Sequence, residues 1–394
     1  METEHFPAQG TKYLRQISPL LERLRDDNTQ RDRAGNRDLR YDRYAMLMLL
    51  YFFNPTLTSL RSLQQVTKLD KVQRITGGGR VSLAALSEAQ HVFDPARLRQ
   101  VMGELAAQVP TRDCHPDHAA LRNLIAVDGT LLRALPRMTW AVWQDKRHRA
   151  AKAHVAFEVF GAGPVDATIG AATGSERREL AAELLQSGKV YVLDRGYESY
   201  ELYARIHDHG SGFVARVQQD AAFEVEWERP ISEAAAQAGV TRDIELKRLG
   251  NGHHWDLAKG KRMRMVVVSN PEARAEEPKS LVLVSDQMEW DAELVALAYR
   301  YRWTIELFFR WLKRILGCRH LLAQSADGVA IQVYCALIAS VLMTLWTGAK
   351  PNKRTFEMFC HLFSGWATEA EVEAHLKELL NRKTKAKRTP HSSD

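Results

Sequence analysis

Residues Tyr299 to Lys313 read YRYRWTIELFFRWLK. An α-helix turns by about 100° per residue. On that wheel Tyr301, Ile305, Phe308, Leu312 and Ile315 form one apolar stripe. Tyr299, Arg302, Glu306, Arg310 and Lys313 cluster within about 80° of one another on the other side. The stretch therefore reads as a helix that buries one face and presents a single carboxylate ringed by cations on the other. Helix logic alone leaves a solvated basic face as an equal explanation of that second side.

The chain around this helix has 394 residues, enough for two or three domains, and is 45% hydrophobic and 26% charged, as soluble globular proteins are. Its formal net charge of +7 favours an anionic partner without naming one. The cysteines, Cys114, Cys318, Cys335 and Cys360, form no C-x-x-C pair, so neither a disulfide framework nor a zinc site is indicated and a reducing cytoplasm fits. The first residues, METEHFPAQG, lack the apolar core of a signal peptide. Gly328 to Ala349 is long and uncharged, but Gln332, Ser340 and two threonines interrupt it and no second span accompanies it. It reads as a core helix packed behind a sheet rather than a membrane span. No Gly-rich nucleotide loop and no H-x-E with C-x-x-C appears, which excludes the usual signatures of NTP hydrolysis and base deamination.

Upstream, residues 1 to about 120 read as helical. Tyr44 to Phe53 is an apolar run that stops at Asn54-Pro55 and restarts near Ser59, and Asp94-Pro95 opens a further helix with a cap and a first-turn proline. Seven arginines between Arg23 and Arg43 suggest a nucleic-acid stripe, but six acidic residues in the same segment nearly cancel them. From about residue 122 the pattern changes to strands. Leu124–Val127 is an apolar run delivering Asp128. Ala153–Phe160 and Asp166–Ala172 follow, separated by a Gly161-Ala162-Gly163-Pro164 turn. An amphipathic helix is expected from Ser175. A strand, Lys189–Leu193, then ends in Asp194, and a helix through Tyr200 leads to a strand at Phe213–Val217. Between there and the Glu306 helix, a loop without structure is improbable. Phe223–Trp227, Ile244–Leu246, Met263–Val268 and Leu281–Val284 alternate as strands do, and a basic knot of Lys259, Lys261, Arg262 and Arg264 with Trp255 could meet DNA or be a solvated hairpin tip.

The spacing Tyr299-x2-Arg302-x3-Glu306-x6-Lys313 resembles, without a gap, the Y-R-E-K signature of transposases of the bacterial insertion sequence four family. The resemblance covers about 122–320 and implies an α/β chain. A ribonuclease-H-like catalytic core would occupy 121–217 and 281–348, interrupted by an inserted β-rich domain at 218–280. A helical DNA-binding domain at 1–120 would precede it, and a helical tail at 349–394 would follow. It also implies that Glu306 is the third carboxylate of a DDE site, with Asp128 and Asp194 as the first two. Their expected ligand is Mg²⁺ or Mn²⁺, as two ions. Hard divalent ions prefer carboxylate oxygens, and a pair of them can serve both the attacking and the leaving oxygen of a phosphodiester. Tyr299, Arg302, Arg310 and Lys313 are then expected to contact DNA phosphates, and Trp303 to stack on a displaced base. The expected partners are the element's inverted repeats and target DNA, engaged by a homodimer on paired ends, with no membrane. The segment Ile169–Glu176 lacks the acidic turn expected of relatives. Two alternatives stay open at this point: a metal-dependent nuclease on the same fold that does not join ends, and a non-catalytic DNA-binding derivative.

Overall fold

The computed structural model describes residues 11–14, 17–25, 37–111, 116–134, 138, 140–143, 149–170, 182–250, 261–271, 278–314 and 321–388. The chain is mixed α/β, with one large sheet, and divides into two compact units. Met1–Val109, Arg133–Trp140 and Arg310–Asp394 make the first, and Pro110–Leu132 with Ala141–Phe309 the second.

The first unit is helical, and its helix boundaries follow from capping chemistry. The Tyr41–Phe52 helix is followed by the Leu60–Val66 helix, whose Ser59 and Ser62 satisfy each other's backbone N–H groups in a capping box. The Asp70–Thr76 helix ends on Gly77, where φ is +67°. Ser82 caps Leu83–Val92, and Asp94 accepts from the Ala96 N–H at 2.9 Å to start the Pro95–Ala106 helix with its proline in the first turn. The Ala326–Thr347 helix is long and apolar enough to cross a membrane, yet it is buried nearly throughout. Among the described residues its main neighbours are the Pro95–Ala106, Tyr41–Phe52 and Leu83–Val92 helices, where the sequence reading expected a sheet. A helix apolar on every side needs cover on every side, and a ring of helices supplies it. Tyr13, Phe53, Trp346 and Phe359 add an aromatic cluster to the same core. The Lys353–Ser364 and Glu369–Arg388 helices follow the Ala326–Thr347 helix in the chain.

The second unit is built on the sheet. Its strands are β1 (Leu124–Ala134), β2 (Val142–Trp143), β3 (Arg149–Glu158), β4 (Gly163–Gly170), β5 (Val190–Leu193), β6 (Gly212–Val217), β7 (Phe223–Glu228), β8 (Val240–Leu249), β9 (Met263–Ser269) and β10 (Ser280–Ser285). The order is β2-β3-β1-β5-β6-β10-β9-β8-β7, with β4 also on β3. β5 is parallel to both β1 and β6. The Val159 N–H donates to the Leu124 carbonyl, which puts the end of β3 beside the start of β1. The helix expected from Ser175, like Trp255 and Lys259 of the basic knot, lies outside the described residues.

The strands expected to form a separate inserted domain instead continue the same sheet. β10 pairs antiparallel with β6 on one side and with β9 on the other, and Val282 is opposite both Val217 and Val267. The described part of the basic knot is engaged within the protein. Arg264 pairs with Asp243, Arg262 with Glu245 at 2.8 Å, and Lys261 with Asp208 at 2.5 Å. These cations therefore have carboxylate partners of their own and are not an unpaired patch awaiting DNA.

β8 turns away at Gly250, whose φ is +83° and whose Cβ, if it had one, would meet the Tyr200 ring at 2.8 Å. Gly250→Ala combines a left-handed backbone with that collision. It is expected to lower stability by about 1–2 kcal/mol, read as an earlier midpoint in urea unfolding. An unchanged midpoint would show that the turn accepts a side chain.

Candidate active site

In the parallel core, Val127 of β1 is in register with Leu193 of β5, and Leu193 with Ala215 of β6. The next residue on each chain is Asp128, Asp194 and Arg216. Three buried apolar strands thus deliver two acids and one cation in a row at the same level. Asp128 lies inside β1 rather than at its end, because the strand continues to Ala134 beyond the pairing with β5. Gly129 passes close to β3, where a Cβ would meet Lys152 Cε at 2.9 Å and His154 Cε1 at 3.0 Å. A larger residue there would push β1 and β3 apart beside the acid. Asp194 leads into a short turn, Arg195–Tyr197, and the Tyr197 hydroxyl lies 2.6 Å from Nδ1 of the fully buried His154 on β3. His154 is accordingly a core histidine held by Tyr197.

The third acid arrives on a helix. The Ala292–Tyr301 and Trp303–Arg314 helices meet at Arg302, whose own φ and ψ are helical. At this joint the bonds tighten to three-residue spacing: the Arg302 N–H donates to the Tyr299 carbonyl at 3.0 Å, and the Ile305 N–H to the Arg302 carbonyl at 3.1 Å. The apolar stripe anticipated from the wheel is in place, with Ile305, Phe308 and Leu312 buried and Phe157 of β3 5.0 Å from Phe308. Burying that stripe turns the opposite face to the strand ends.

Arg302 stands among all three carboxylates. Its Nη1 lies 3.7 Å from Asp128 Oδ2 and 3.9 Å from Asp194 Oδ2, and its Nη2 lies 2.7 Å from Glu306 Oε1. Its side chain is 13% exposed. The Tyr299 hydroxyl donates to Asp194 Oδ1 at 2.9 Å, and Arg216 Nη1 lies 3.7 Å from the same oxygen. The sequence placed Tyr299 and Arg302 on DNA phosphates; in this structure both hold the aspartates. Trp303 is exposed by half. Arg310 is exposed and Lys313 half-buried, both in the part of the helix counted with the helical unit. Arg216 was missed by the sequence reading. Its only signal is that it is the one charged residue in the buried strand Gly212–Val217.

Electrostatics separate the two aspartates. Burial raises Asp128 to about 6, with Asp194 and Glu306 adding to the rise and the Gly129 N–H and Arg302 opposing it. Burial also acts to raise Asp194, but Arg302, the Arg195 N–H, Tyr299 and Arg216 together outweigh it and hold that carboxyl below its ordinary value. Burial and then the Asp194 charge push the Tyr299 phenol up to about 12, so it remains a donor at neutral pH. Burial acts to lower Arg302, yet Tyr299 and the three carboxylates raise it overall.

The donor chemistry suits a hard divalent ion: three carboxylates on three elements, all directed at one cationic group. Among the described residues, no three His, Cys, Asp or Glu side chains are gathered as an ion-holding group; Arg302 lies among these three acids.

A family model described as "Transposase DDE domain" matches residues 119–342, more than half of the chain. The putative transposase y4zB of Sinorhizobium fredii is 25% identical over 270 residues, which cover 68% of this chain and 72% of that relative. The probable transposase for insertion sequence element IS5377 of Geobacillus stearothermophilus is 26% identical over 221 residues, covering 56% of this chain and 55% of the relative. Among solved structures, a piggyBac transposase synaptic complex with hairpin DNA aligns over 97% of this chain and 83% of that one, with 11% identity and a TM-score of 0.44, too slight a likeness to argue from. With the Tyr299–Lys313 spacing and the row of acids in the parallel core, the match over residues 119–342 settles the family: the chain is a DDE transposase.

Proposed function

We propose that Asp128, Asp194 and Glu306 are the catalytic carboxylates with which this transposase cuts DNA at its element's ends and joins them to a target. The observation that carries the reading is that a single guanidinium, Arg302, lies within 4 Å of all three. DDE transposases work with divalent metal ions. Here the three acids would hold Mg²⁺ or Mn²⁺, as two ions, which would activate the attacking oxygen and neutralise the departing one. Tyr299 and Arg216 keep Asp194 ionised and aimed. Trp303, which is exposed, would stack on a base, and Arg310 and Lys313 would bind phosphates of the DNA.

The strand order supports a ribonuclease-H-like core: β4, β3 and β1 lead into β5 and β6, both parallel. On this reading the helices of residues 1–120 recognise the terminal DNA, and a cytoplasmic homodimer holds paired ends. The Mg²⁺ or Mn²⁺ reaction on DNA bearing those ends should yield both cut and joined products. Cutting without joining would reduce the protein to a nuclease.

Asp128 also makes the site costly to the fold. Its folded pKa of about 6 exceeds the ordinary 3.8, so the folded chain holds this proton more tightly than the unfolded one. The associated stability is full below the unfolded value and lost as pH rises through about 6. In EDTA, Asp128→Asn should therefore raise the thermal unfolding midpoint at pH 8 and change it little at pH 4. A lower midpoint at pH 8 would contradict this account.

A further inference from the structure

Resting on that assignment of the carboxylates, we propose that Arg302 is a positioning residue that competes with the divalent ion for Asp128, Asp194 and Glu306. Loading then requires the guanidinium to turn from the acids onto a phosphate of bound DNA. The distances carry the argument. The acids that would hold an ion are the ones Arg302 now faces, so an ion entering among them would meet its positive charge. With Arg302 and Arg216 in place, one divalent ion would bring four positive charges to three negative ones. Phosphate removes the conflict by supplying a new anion for the arginine.

Two features make Arg302 able to leave. Its Nε is buried without a hydrogen-bond partner among the described residues, so the present seat does not use all its donors. It also stands at the joint between two helices, where tightened bonds replace the regular ladder. Competition for the same oxygens makes the linkage reciprocal: whatever draws Arg302 away tightens the ion, and the ion in turn tightens whatever holds Arg302. DNA would thereby license its own cleavage, and a chain without DNA would hold little metal.

The test is Mn²⁺ binding to the full chain, measured by calorimetry and electron paramagnetic resonance, with and without DNA bearing the element ends. Without DNA, Arg302→Gln should bind Mn²⁺ on the order of tenfold more tightly than wild type, within the usual range of coupling between sites. Arg302→Lys, which keeps the charge but loses the fork, should bind about threefold more tightly and serves if the glutamine variant does not fold. DNA should tighten Mn²⁺ in wild type by a larger factor than in Arg302→Gln, since only the former has a competitor to release. Equal affinities without DNA, or equal gains with it, overturn the proposal. Asp194→Asn separates the two levels. If it lowers Mn²⁺ affinity while Arg302→Gln matches wild type, competition alone fails; if it has no effect, the carboxylate assignment fails first.

Discussion

Glu306→Gln is expected to reduce end-specific DNA cutting by at least about a thousandfold while leaving DNA binding in place. The substitution preserves size and the helix but removes the charge that completes the trio. Stabilising the charge that develops on a reacting phosphodiester is worth several kcal/mol to such a site, and each ~1.4 kcal/mol is a factor of ten in rate. Glutamine still accepts a hydrogen bond from Arg302, so the Trp303–Arg314 helix keeps its seat. Gel-shift binding and cleavage measured on the same preparation separate the two effects. Cutting at the wild-type rate would remove Glu306 from the site.

A second large effect lies away from the chemistry, in the sheet. Arg264 of β9 is 1% exposed and its partner Asp243 of β8 5% exposed, and the guanidinium also donates to the Gln287 and Trp290 carbonyls. Asp243→Ala leaves a buried cation without its counter-charge, and breaking a buried pair in this way costs about 3–5 kcal/mol. The chain should accordingly unfold at markedly lower urea. Replacing both partners, Arg264→Met with Asp243→Leu, should recover most of the loss, because no buried charge is then left alone. A single variant as stable as wild type would mean that water reaches the guanidinium.

Arg264 also shows where sequence stops being legible. Next to Lys261 and Arg262 it reads as part of a basic knot, since its partner is remote in sequence and becomes a neighbour only when β8 and β9 pair. The described strands after residue 122 were legible from apolar runs and turn residues, apart from the two-residue β2. Of the proposed acids, Asp128 and Asp194 stand out in the sequence because each follows an apolar run, whereas Glu306 as a third carboxylate came only from the resemblance to the Y-R-E-K signature. What the helical wheel could not supply was direction. It grouped Tyr299, Arg302 and Glu306 on one face, but whether that face meets solvent, DNA or other acids depends on where the apolar stripe docks. For the same reason Arg216 was invisible, since a lone arginine in a buried strand has meaning only once Ala215 is aligned with Leu193. The continuity of the sheet through β10 was hidden too, because alternation reveals strands and not their neighbours.

The brevity of β5 has a consequence for how the molecule is made. Four residues, flanked by parallel partners on both sides, hold no order by themselves; they need β6, which follows after the short Tyr200–Asp208 helix, and β1, which comes from much farther back in the chain. Closing that longer span costs chain entropy before the pairing rewards it. Asp194 follows this strand, and Glu306 arrives on a helix that lies far later in the chain. A polypeptide that ends before the Trp303–Arg314 helix lacks Glu306 and, on the proposed assignment, the means to cut DNA, however much of the sheet it has formed.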